Sequence, residues 1–347
     1  MFPRGEGSVV TNSGRISGEW SGIQAQSSDG MPGGVGGHRI VTEGVVSGRQ
    51  LQGIVARGTG LDTTNTGGVS GGTTGIRIGG TGTLVNRGAV AGSNAAAILV
   101  ADGGGAGPLR IANAGQVQAE NGQGIRVSGP DAVICRCGEI LSEGVGIYLV
   151  GATSTGGGIT NAGEIATAAQ GIFAAVMATR MVKECSIAVP DLAVHLGPQG
   201  DGVGLVVNRG TITTGMGLGL RTAVSTGGVL LRTTGEPTGG VTAVDLGGTG
   251  DDRIEDGIFG DLLGGGSGGS EVSGQGGDDT IHGGAGDDAI TTGGRRRRAP
   301  RPGPAGSVTA TACGCPSGWP GICRRRASRR ATVSGFSSSG RTGPARR

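Results

Sequence analysis

Residues 247–291 repeat one nine-residue unit five times in unbroken register. The units read GGTGDDRIE, DGIFGDLLG, GGSGGSEVS, GQGGDDTIH and GGAGDDAIT. They follow the template G-G-x-G-x-D-x-U-x, in which the U slot always holds a large aliphatic residue: Ile254, Leu263, Val272, Ile281 and Ile290. One aliphatic side chain in nine residues is too little for an ordinary core, so apolar burial alone cannot explain why the spacing is kept.

The repeat segment is also strongly acidic. It contains ten carboxylates and a single base, Arg253, which gives a net charge of −9 that should repel itself in the unfolded chain. Glycines permit positive φ, so the first six residues of a unit can turn tightly with their carbonyls facing one point. Ca²⁺ accepts mixed shells of carbonyl and carboxylate oxygens and would remove the repulsion. The alternative is a flexible Gly/Asp-rich linker, but a linker does not hold an aliphatic residue at a fixed phase.

The template resembles the Ca²⁺-binding nonapeptide of RTX (hemolysin-type) proteins, the family for which this repeat is described. In that family two nonapeptides form one coil of a parallel β-roll, and a calcium ion lies between units n and n+2. The resemblance therefore implies at most three sites, between units 1 and 3, 3 and 5, and 2 and 4. The metal-site residues that it implies are Gly247, Gly248, Gly250, Asp252, Asp261, Gly265, Gly266, Gly268, Ser270, Gly274, Gly276, Gly277, Asp279, Gly283, Gly284, Gly286 and Asp288.

Three departures from the template weaken the implied sites. Ser270 stands in unit 3 where the template has Asp, which affects two of the pairs. Phe259 replaces a glycine in the turn of unit 2, and Gln275 occupies the second glycine slot of unit 4. Because Ca²⁺ affinity follows ligand charge and site rigidity, we expect none of the three sites to be ideal.

A looser repeat fills residues 8–245. Its anchor N-x-G-x-[IV] is followed eight or nine residues later by G-I-x-[VL] or a close variant. The anchor glycines are Gly14, Gly44, Gly67, Gly88, Gly115, Gly138, Gly163 and Gly210, with Cys185 in the same phase and Gly235 as a weak last member. These units predict an all-β chain whose first part is a right-handed parallel β-helix of about ten coils, and they resemble the repeats of autotransporter-like and adhesin-like bacterial surface proteins. A β-sandwich is the alternative.

Asparagine recurs in one slot of this looser repeat, just before the anchor glycine. The slot holds Asn12, Asn65, Asn86, Asn113, Asn161 and Asn208. Asparagine tolerates the left-handed conformation that a sharp corner needs. Stacking such corners would also bring the side-chain amides together, so the repeat predicts an amide ladder along the helix.

The tail, residues 295–347, contains 13 arginines and no acid, whereas residues 1–294 carry a net charge of −10. After Gly294 the register calls for another G-G-x-G-x-D, but the sequence reads RRRRAPRPGPAG. GC-rich codons for Gly-Gly-Ala-Gly-Asp-Asp, read two bases later, encode a run of arginines. Our hypothesis is therefore a disordered, frameshifted tail. The alternative is a surface that binds phosphates, but the tail has few aromatic residues among its arginines.

The six cysteines make no disulfide scaffold. Cys135 and Cys137 lie on the same face of one predicted strand, so we do not expect a structural pair. In the tail, Cys313, Cys315 and Cys323 lack the fourth ligand that a zinc site needs.

Catalytic function has little support in the sequence. Mannuronan C5-epimerases join a β-helix to RTX modules in the order seen here, and a calcium-dependent polysaccharide-modifying enzyme of the epimerase or lyase type is our alternative. Such sites need tyrosine, histidine and acidic groups on one face. The chain has one tyrosine, Tyr148, and His195 lies about two coils away on a comparable strand. The aromatic content is only 2%, so we expect solvated surface residues here, and no enzyme.

The resemblances imply a secreted, calcium-binding structural or adhesive surface protein. RTX proteins leave the cell by type I secretion, and the start MFPRGEGSVVTN has no basic-then-apolar signal peptide. We expect a β-helix over residues 8–245, a β-roll over 247–291 and no transmembrane segment, because no run of 18 apolar residues occurs. The expected cofactor is Ca²⁺. Candidate partners are cell-surface glycans or other surface proteins, and no nucleic acid.

Overall fold

The computed structural model describes residues 7–26, 37–101, 109–129, 132–151, 157–176, 179–184, 186–197, 204–214, 219–222, 229–233, 243–246, 251–255, 262–274 and 280–291. Every regular element in these ranges is a β-strand, and every strand pairing is parallel. The described part of the chain contains no helix, and hence none that could span a membrane. The chain is therefore all-β, as the repeats predict.

The strands up to residue 222 are β1 (Val9–Asn12), β2 (Arg15–Gly18), β3 (Ile23–Gln26), β4 (Arg39–Thr42), β5 (Val45–Gly48), β6 (Gln52–Asn65), β7 (Gly68–Gly71), β8 (Thr74–Asn86), β9 (Ala89–Gly92), β10 (Ala96–Ala101), β11 (Leu109–Asn113), β12 (Gln116–Ala119), β13 (Gln123–Ser128), β14 (Val133–Arg136), β15 (Glu139–Ser142), β16 (Ile147–Gly151), β17 (Gly157–Asn161), β18 (Ile165–Thr167), β19 (Ile172–Val176), β20 (Thr179–Lys183), β21 (Ile187–Val189), β22 (Val194–Leu196), β23 (Gly204–Asn208), β24 (Ile212–Thr214) and β25 (Leu220–Thr222). The later strands are β26 (Val229–Thr233), β27 (Ala243–Leu246), β28 (Arg253–Glu255), β29 (Leu262–Gly264), β30 (Glu271–Ser273), β31 (Thr280–His282) and β32 (Ala289–Thr291).

The strands β1 to β25 form a parallel β-helix with three sides, which we call A, B and C. Side A consists of β1, β4, the second halves of β6 and β8, β11, β14, β17, β20 and β23. Side B consists of β2, β5, β7, β9, β12, β15, β18, β21 and β24, and side C of β3, the first halves of β6 and β8, β10, β13, β16, β19, β22 and β25. Each strand pairs with its equivalents one coil away, which excludes the β-sandwich. The nine strands of side B give nine three-strand coils, and the tenth predicted coil, around Gly235, falls outside the described residues.

Aliphatic side chains fill the interior in columns that follow the strand register. On side C one inward slot is buried in every coil, and it holds Ile23, Ile54, Ile76, Ile98, Ile125, Ile147, Ile172, Val194 and Leu220. Burying one such side chain contributes about 2 kcal/mol. The period-two alternation of the sequence therefore places one residue of each pair in the core and exposes the next to solvent.

The corner between sides A and B contains the predicted amide ladder. The Asn65 amide Nδ2 donates to Asn86 Oδ1 at 2.8 Å, and Asn86 Nδ2 donates to Asn113 Oδ1 at 2.7 Å. Thr42 enters the same slot one coil earlier and donates from Oγ1 to Asn65 Oδ1 at 2.9 Å. Because these side chains are buried, each amide needs a partner, and the equivalent side chain in the next coil supplies it.

Two cations continue this ladder where asparagine is missing. Arg136 pairs in register with Asn113 and Asn161, and Lys183 with Asn161 and Asn208. Arg136 Nη1 donates to Asn161 Oδ1 at 2.7 Å, and Lys183 Nζ donates to Asn208 Oδ1 at 3.1 Å. Both side chains are fully buried. Arg136 also donates to the Glu164 carbonyl and Lys183 to the Thr211 carbonyl, so amide and carbonyl oxygens solvate both charges.

The anchor glycines are required by the close approach of neighbouring coils. A Cβ atom at Gly115 would overlap the carbonyl oxygen of Gly88, and one at Gly138 would overlap that of Gly115. The same overlap recurs at Gly44, Gly67, Gly88 and Gly163. The first anchor, Gly14, has nothing within 4 Å of its Cβ position. At these six anchors the corner therefore needs glycine because the preceding coil lies so close.

Gly115→Ala and Gly14→Ala should differ although both change the same motif position. The overlap at Gly115 involves backbone, which cannot rotate away, so we expect destabilisation on the order of 3 kcal/mol. Gly14→Ala should change stability by less than about 0.5 kcal/mol. Denaturant unfolding of the two variants and the parent chain measures this. Equal effects would show that the coil contact is not the reason for the glycine.

Beyond β25 the described strands continue two of these sides, and we call this part the roll. The last described strand of side B is β24, while β26, β28, β30 and β32 extend side A, and β27, β29 and β31 extend side C. Ile254 in β28 pairs with Val272 in β30, and Leu263 in β29 pairs with Ile281 in β31. Units 1 and 3, 3 and 5, and 2 and 4 are therefore neighbours, as the family resemblance predicted. Ile254, Leu263 and Val272 are fully buried between the two sides.

The expectation that Cys135 and Cys137 of the β-helix form no structural pair was wrong. Cys135 and Cys137 are both disulfide-bonded in the structure. Cys135 lies within β14, and Cys137 follows the strand, directly before the anchor glycine Gly138. The basic tail, residues 295–347, lies outside the described residues, and its frameshift hypothesis stays a prediction.

Candidate functional site

The turns of units 3 and 5 stack directly on one another at the edge of the roll. The Gly268 amide donates to the Ala285 carbonyl at 2.7 Å, and the Ala285 amide donates to the Gly266 carbonyl at 2.9 Å. Ser267 and Ala285 form a parallel bridge between the two turns. The ladder therefore continues through the glycine-rich segments, and their backbones are held in fixed register.

Glycines of these turns adopt the positive φ that the repeat predicts. The second and fourth residues of unit 3, Gly266 and Gly268, have φ of 81° and 119°. Their equivalents in unit 5, Gly284 and Gly286, have φ of 107° and 134°. A Cβ atom at Gly284 would also overlap the Gly266 carbonyl. Both the backbone conformation and the contact between turns therefore need glycine.

The sixth-slot carboxylates of units 1 and 5 reach back to the preceding coil. Asp288 Oδ1 accepts from the Ser270 amide at 3.1 Å, and Asp252 Oδ1 accepts from the Val229 amide at 2.7 Å. Ser270 instead donates from its hydroxyl to the Gly265 carbonyl of its own turn, at 3.0 Å. The missing carboxylate at Ser270 therefore falls between units 1 and 3, whereas the 3/5 pair keeps its own carboxylate, Asp288. The expectation that Ser270 weakens both pairs stays a prediction.

The carboxylate of Asp252 is buried, which disfavours its ionised form. Its side chain is only 5% exposed. Burial raises the pKa of Asp252 to about 6, the hydrogen bond from the Val229 amide opposes this, and the charge of Asp251 adds to it. Asp251 lies at the surface and accepts from the Gly269 amide at 2.8 Å. An ionised Asp252 is therefore only partly compensated by the chain itself.

Seven of the predicted metal-site residues lie outside the described residues: Gly247, Gly248, Gly250, Asp261, Gly276, Gly277 and Asp279. Phe259 and Gln275 also lie there. Of the remaining predicted residues, Asp252, Ser270 and Asp288 occupy equivalent places in successive coils of one side. Gly274, the first residue of unit 4, is buried and donates to the Thr291 carbonyl at 3.0 Å.

The described residues include no group of three or more His, Cys, Asp or Glu side chains that could hold a metal. A cation between these turns would therefore depend on backbone carbonyl oxygens, with one or two carboxylates from the fifth and sixth slots. That donor set fits a hard ion with a flexible oxygen shell, such as Ca²⁺, and does not fit zinc, which needs nitrogen or sulfur ligands.

Four charged side chains, of which Glu255 is partly buried, connect the helix to the roll on side A. Arg232 Nε lies 2.6 Å from Glu255 Oε2, and Arg253 bridges Glu255 at 3.1 Å and Glu271 at 2.8 Å. The hydrogen bond from Arg232 lowers the pKa of Glu255, and Arg253 adds to this. Each exposed ion pair contributes little to the free energy of unfolding. The network instead neutralises two acids of the roll on the outside, away from the glycine turns.

A second cluster lies on the outer face of side C. Tyr148 points outward, as its position between Ile147 and Leu149 predicts, and its ring stacks on Phe173 at a centroid distance of 4.9 Å. Phe173 in turn contacts His195 edge-on at 4.9 Å. Burial, and then the nearby charge of Arg221, lower the pKa of His195. Phe173 therefore lies between the two residues that the enzyme alternative would use.

The sequence analysis missed Phe173 and the arginines that flank this cluster. Arg126 lies with its guanidinium carbon 5.6 Å from the Tyr148 ring centroid, and Arg221 pairs in register with His195. A signal was present, because all of these residues occupy the x slot of G-I-x-[VL] or its variants. Aligning that slot from coil to coil would have placed them in one column.

Comparison with protein-family models, with curated proteins and with solved structures finds no match to this chain. The repeats, the strand register and the local geometry therefore carry the functional argument.

Asp252→Asn should have opposite effects on the roll with and without calcium. Without calcium the variant removes a buried charge whose pKa exceeds the ordinary value of 3.8, so β28 should gain on the order of 2–3 kcal/mol at neutral pH. With calcium it loses a ligand and should bind more weakly. Hydrogen exchange of β28, with Asp251→Asn as control, measures both.

The same exchange experiment has a defined pH dependence in chelator. Because the folded pKa of Asp252 is raised to about 6, the folded roll holds this proton more tightly than the unfolded chain. Stability should therefore fall as pH rises through about 6 and recover on acidification. Asp252→Asn should remove this part of the dependence. An unchanged profile in the variant would show that Asp252 is not the responsible group.

Proposed function

We propose that this chain binds calcium in its terminal roll and acts as a secreted structural or adhesive surface protein. The observation that carries the proposal is the stacking of two GGxG turns, eighteen residues apart, with matching positive-φ glycines and Asp288 at their edge. Backbone turns of this kind offer several carbonyl oxygens to one point. The large negative charge of the segment supplies the electrostatic reason for a cation.

Calcium suits this arrangement better than magnesium. Mg²⁺ demands near-ideal octahedral geometry and keeps several waters, whereas Ca²⁺ accepts six to eight oxygens in variable geometry. The Ser270 turn supplies a hydroxyl and carbonyls, and the Asp288 turn supplies a carboxylate and carbonyls. Extracellular calcium modules work at about 10⁻⁴–10⁻³ M. Secretion into such a medium would let the roll fold after export, because binding energy becomes folding energy.

The direct test is calcium-coupled folding of the roll within the full chain. In chelator we expect only weak protection from hydrogen exchange over β28 to β32, because charge repulsion offsets most of the burial of the few aliphatics. In millimolar calcium these strands should become protected, while β9 to β16 stay protected in both conditions and serve as the internal control. Slow exchange of the roll already in chelator would overturn the proposal.

Ser270→Asp should repair the weakest described position. In calcium the new carboxylate restores the ligand between units 1 and 3, so affinity should rise by about tenfold, the equivalent of 1.4 kcal/mol. In chelator the same variant should be less stable, because a buried carboxylate replaces a hydroxyl that donates to Gly265. Ser267→Asp adds the same charge to the third slot and is the matched control. If calorimetric titration shows the same gain for both, charge alone explains it.

Catalysis remains the alternative to this proposal. An epimerase or lyase would need an acid or base beside Tyr148 and His195, and the described strands of side C hold no Asp or Glu side chain up to β25. The outward column of side C that contains Tyr148 and His195 therefore presents arginines and the edges of aromatic rings. These groups suit ligand binding better than proton transfer. Turnover of a uronate polymer that is lost in Tyr148→Phe would favour the enzyme instead.

A further inference from the structure

Side C of the helix contains basic but no acidic residues in its first nine strand segments. Its nine strand segments, from β3 to β25, contain Arg57, Arg77, Arg126 and Arg221 and no Asp or Glu. Residues 1–294 as a whole carry a net charge of −10. These nine segments therefore carry positive charges only, and they form a basic strip along the helix axis of a protein whose first 294 residues are acidic as a whole.

The strip is straight because the strand register aligns its residues. Arg77 pairs with Leu99, Leu99 with Arg126 and Arg126 with Tyr148. The column continues from Tyr148 through Phe173 and His195 to Arg221. Arg126 and Arg221 are exposed, and the three rings between them are partly buried. The result is two arginines joined by a rigid aromatic segment, and the residue that follows Arg221 in register, on β27, is Asp245.

The rings leave their edges, and not their faces, available to a ligand. Tyr148 and Phe173 are nearly parallel, with 11° between their planes, and Arg126 covers the remaining face of Tyr148. Phe173 and His195 are almost perpendicular, at 85°. A nucleobase needs a free ring face to stack on, so this column is a poor site for single-stranded nucleic acid. Ring edges and the Tyr148 hydroxyl can still contact the hydroxyl and C–H groups of a sugar.

The spacing of the arginines selects among polyanions. Neighbouring strands lie about 4.8 Å apart, so Arg77 and Arg126 are about 10 Å apart and Arg126 and Arg221 about 19 Å apart along the axis. These intervals are about one and two disaccharides of an extended polysaccharide. Nucleic acid carries its charges far more densely. The strip thus matches a polymer with one acidic sugar in every two, whose carboxylates guanidinium groups bind in bidentate fashion.

We propose that side C binds a linear acidic polysaccharide with carboxylates on alternate sugars, lying along the column from Arg77 to Arg221. Arg77, Arg126 and Arg221 bind successive carboxylates, and the ring edges of Tyr148, Phe173 and His195 contact the sugars between Arg126 and Arg221. This site lies on β8 to β25 and does not rest on the calcium proposal. It gives the adhesive role a specific partner and a specific surface.

The test is titration of the full chain with hyaluronan fragments, a polymer with one carboxylate in each disaccharide. The double variant Arg126→Ala/Arg221→Ala should weaken binding by about tenfold or more. The matched control is Arg110→Ala/Arg180→Ala, which removes two exposed arginines from side A and should leave affinity within about twofold. Circular dichroism checks that all variants keep their strand content.

Three outcomes decide the proposal. Selective loss in the side C variant, retained when calcium is chelated, supports it and separates it from the calcium site. Equal loss in both double variants would show attraction to net positive charge alone and would overturn it. The proposal would also be overturned if single-stranded DNA bound as tightly as hyaluronan and depended equally on Arg126 and Arg221. The strip would then bind any polyanion, whatever its sugars.

Discussion

The parallel backbone ladder between successive coils controls everything else in this structure. Each coil must lie about 4.8 Å from the next, and the hydrogen bonds fix which residues face each other. At the corners this spacing leaves no room for a Cβ atom, which is why Gly115 contacts the Gly88 carbonyl so closely. The ladder also turns a sequence repeat into columns of side chains, so one slot of the motif has a consistent environment along the whole molecule.

Those columns explain how polar groups can be buried in a narrow helix. A single buried asparagine would need several partners from unrelated parts of a protein. Here Asn65 donates to Asn86 and Asn86 donates to Asn113, so equivalent side chains of successive coils pair with one another. The same corner accepts Arg136 and Lys183 because amide and carbonyl oxygens already surround the slot. Removing one of these oxygens would leave a buried charge poorly solvated. The stability of the buried Arg136 and Lys183 side chains therefore depends on the ladder.

The repeats in the sequence predicted the core positions and the strand pairing. The consequences of single residues that depart from a repeat were missed. The phase of the aliphatics placed Ile98, Ile125 and Ile147 in the core, and the pairing of alternate nonapeptides followed from the family resemblance. Lys183 in the corner slot was not foreseen, because a lysine in a strand normally indicates a solvated face. The motif does not specify its outward x slot, so it does not predict the contact between Phe173 and His195, which both occupy that slot.

In the described strands, the change from three sides to two lowers the apolar burial that each coil of the roll can contribute to stability. Each three-sided coil closes around inward side chains from every side, whereas a coil of the roll encloses only one aliphatic from each nonapeptide. Ile254 and Val272 are still fully buried, but Ile290 in the last described strand is 46% exposed. As apolar burial declines, carboxylates accumulate, and Asp252 already has a raised pKa at the junction. In the calcium-bound roll that we propose, a cation between the turns offsets the repulsion of this acidic edge. The many glycines and few aliphatics of the nonapeptide fit that proposal, because oxygen ligands then replace part of the apolar burial.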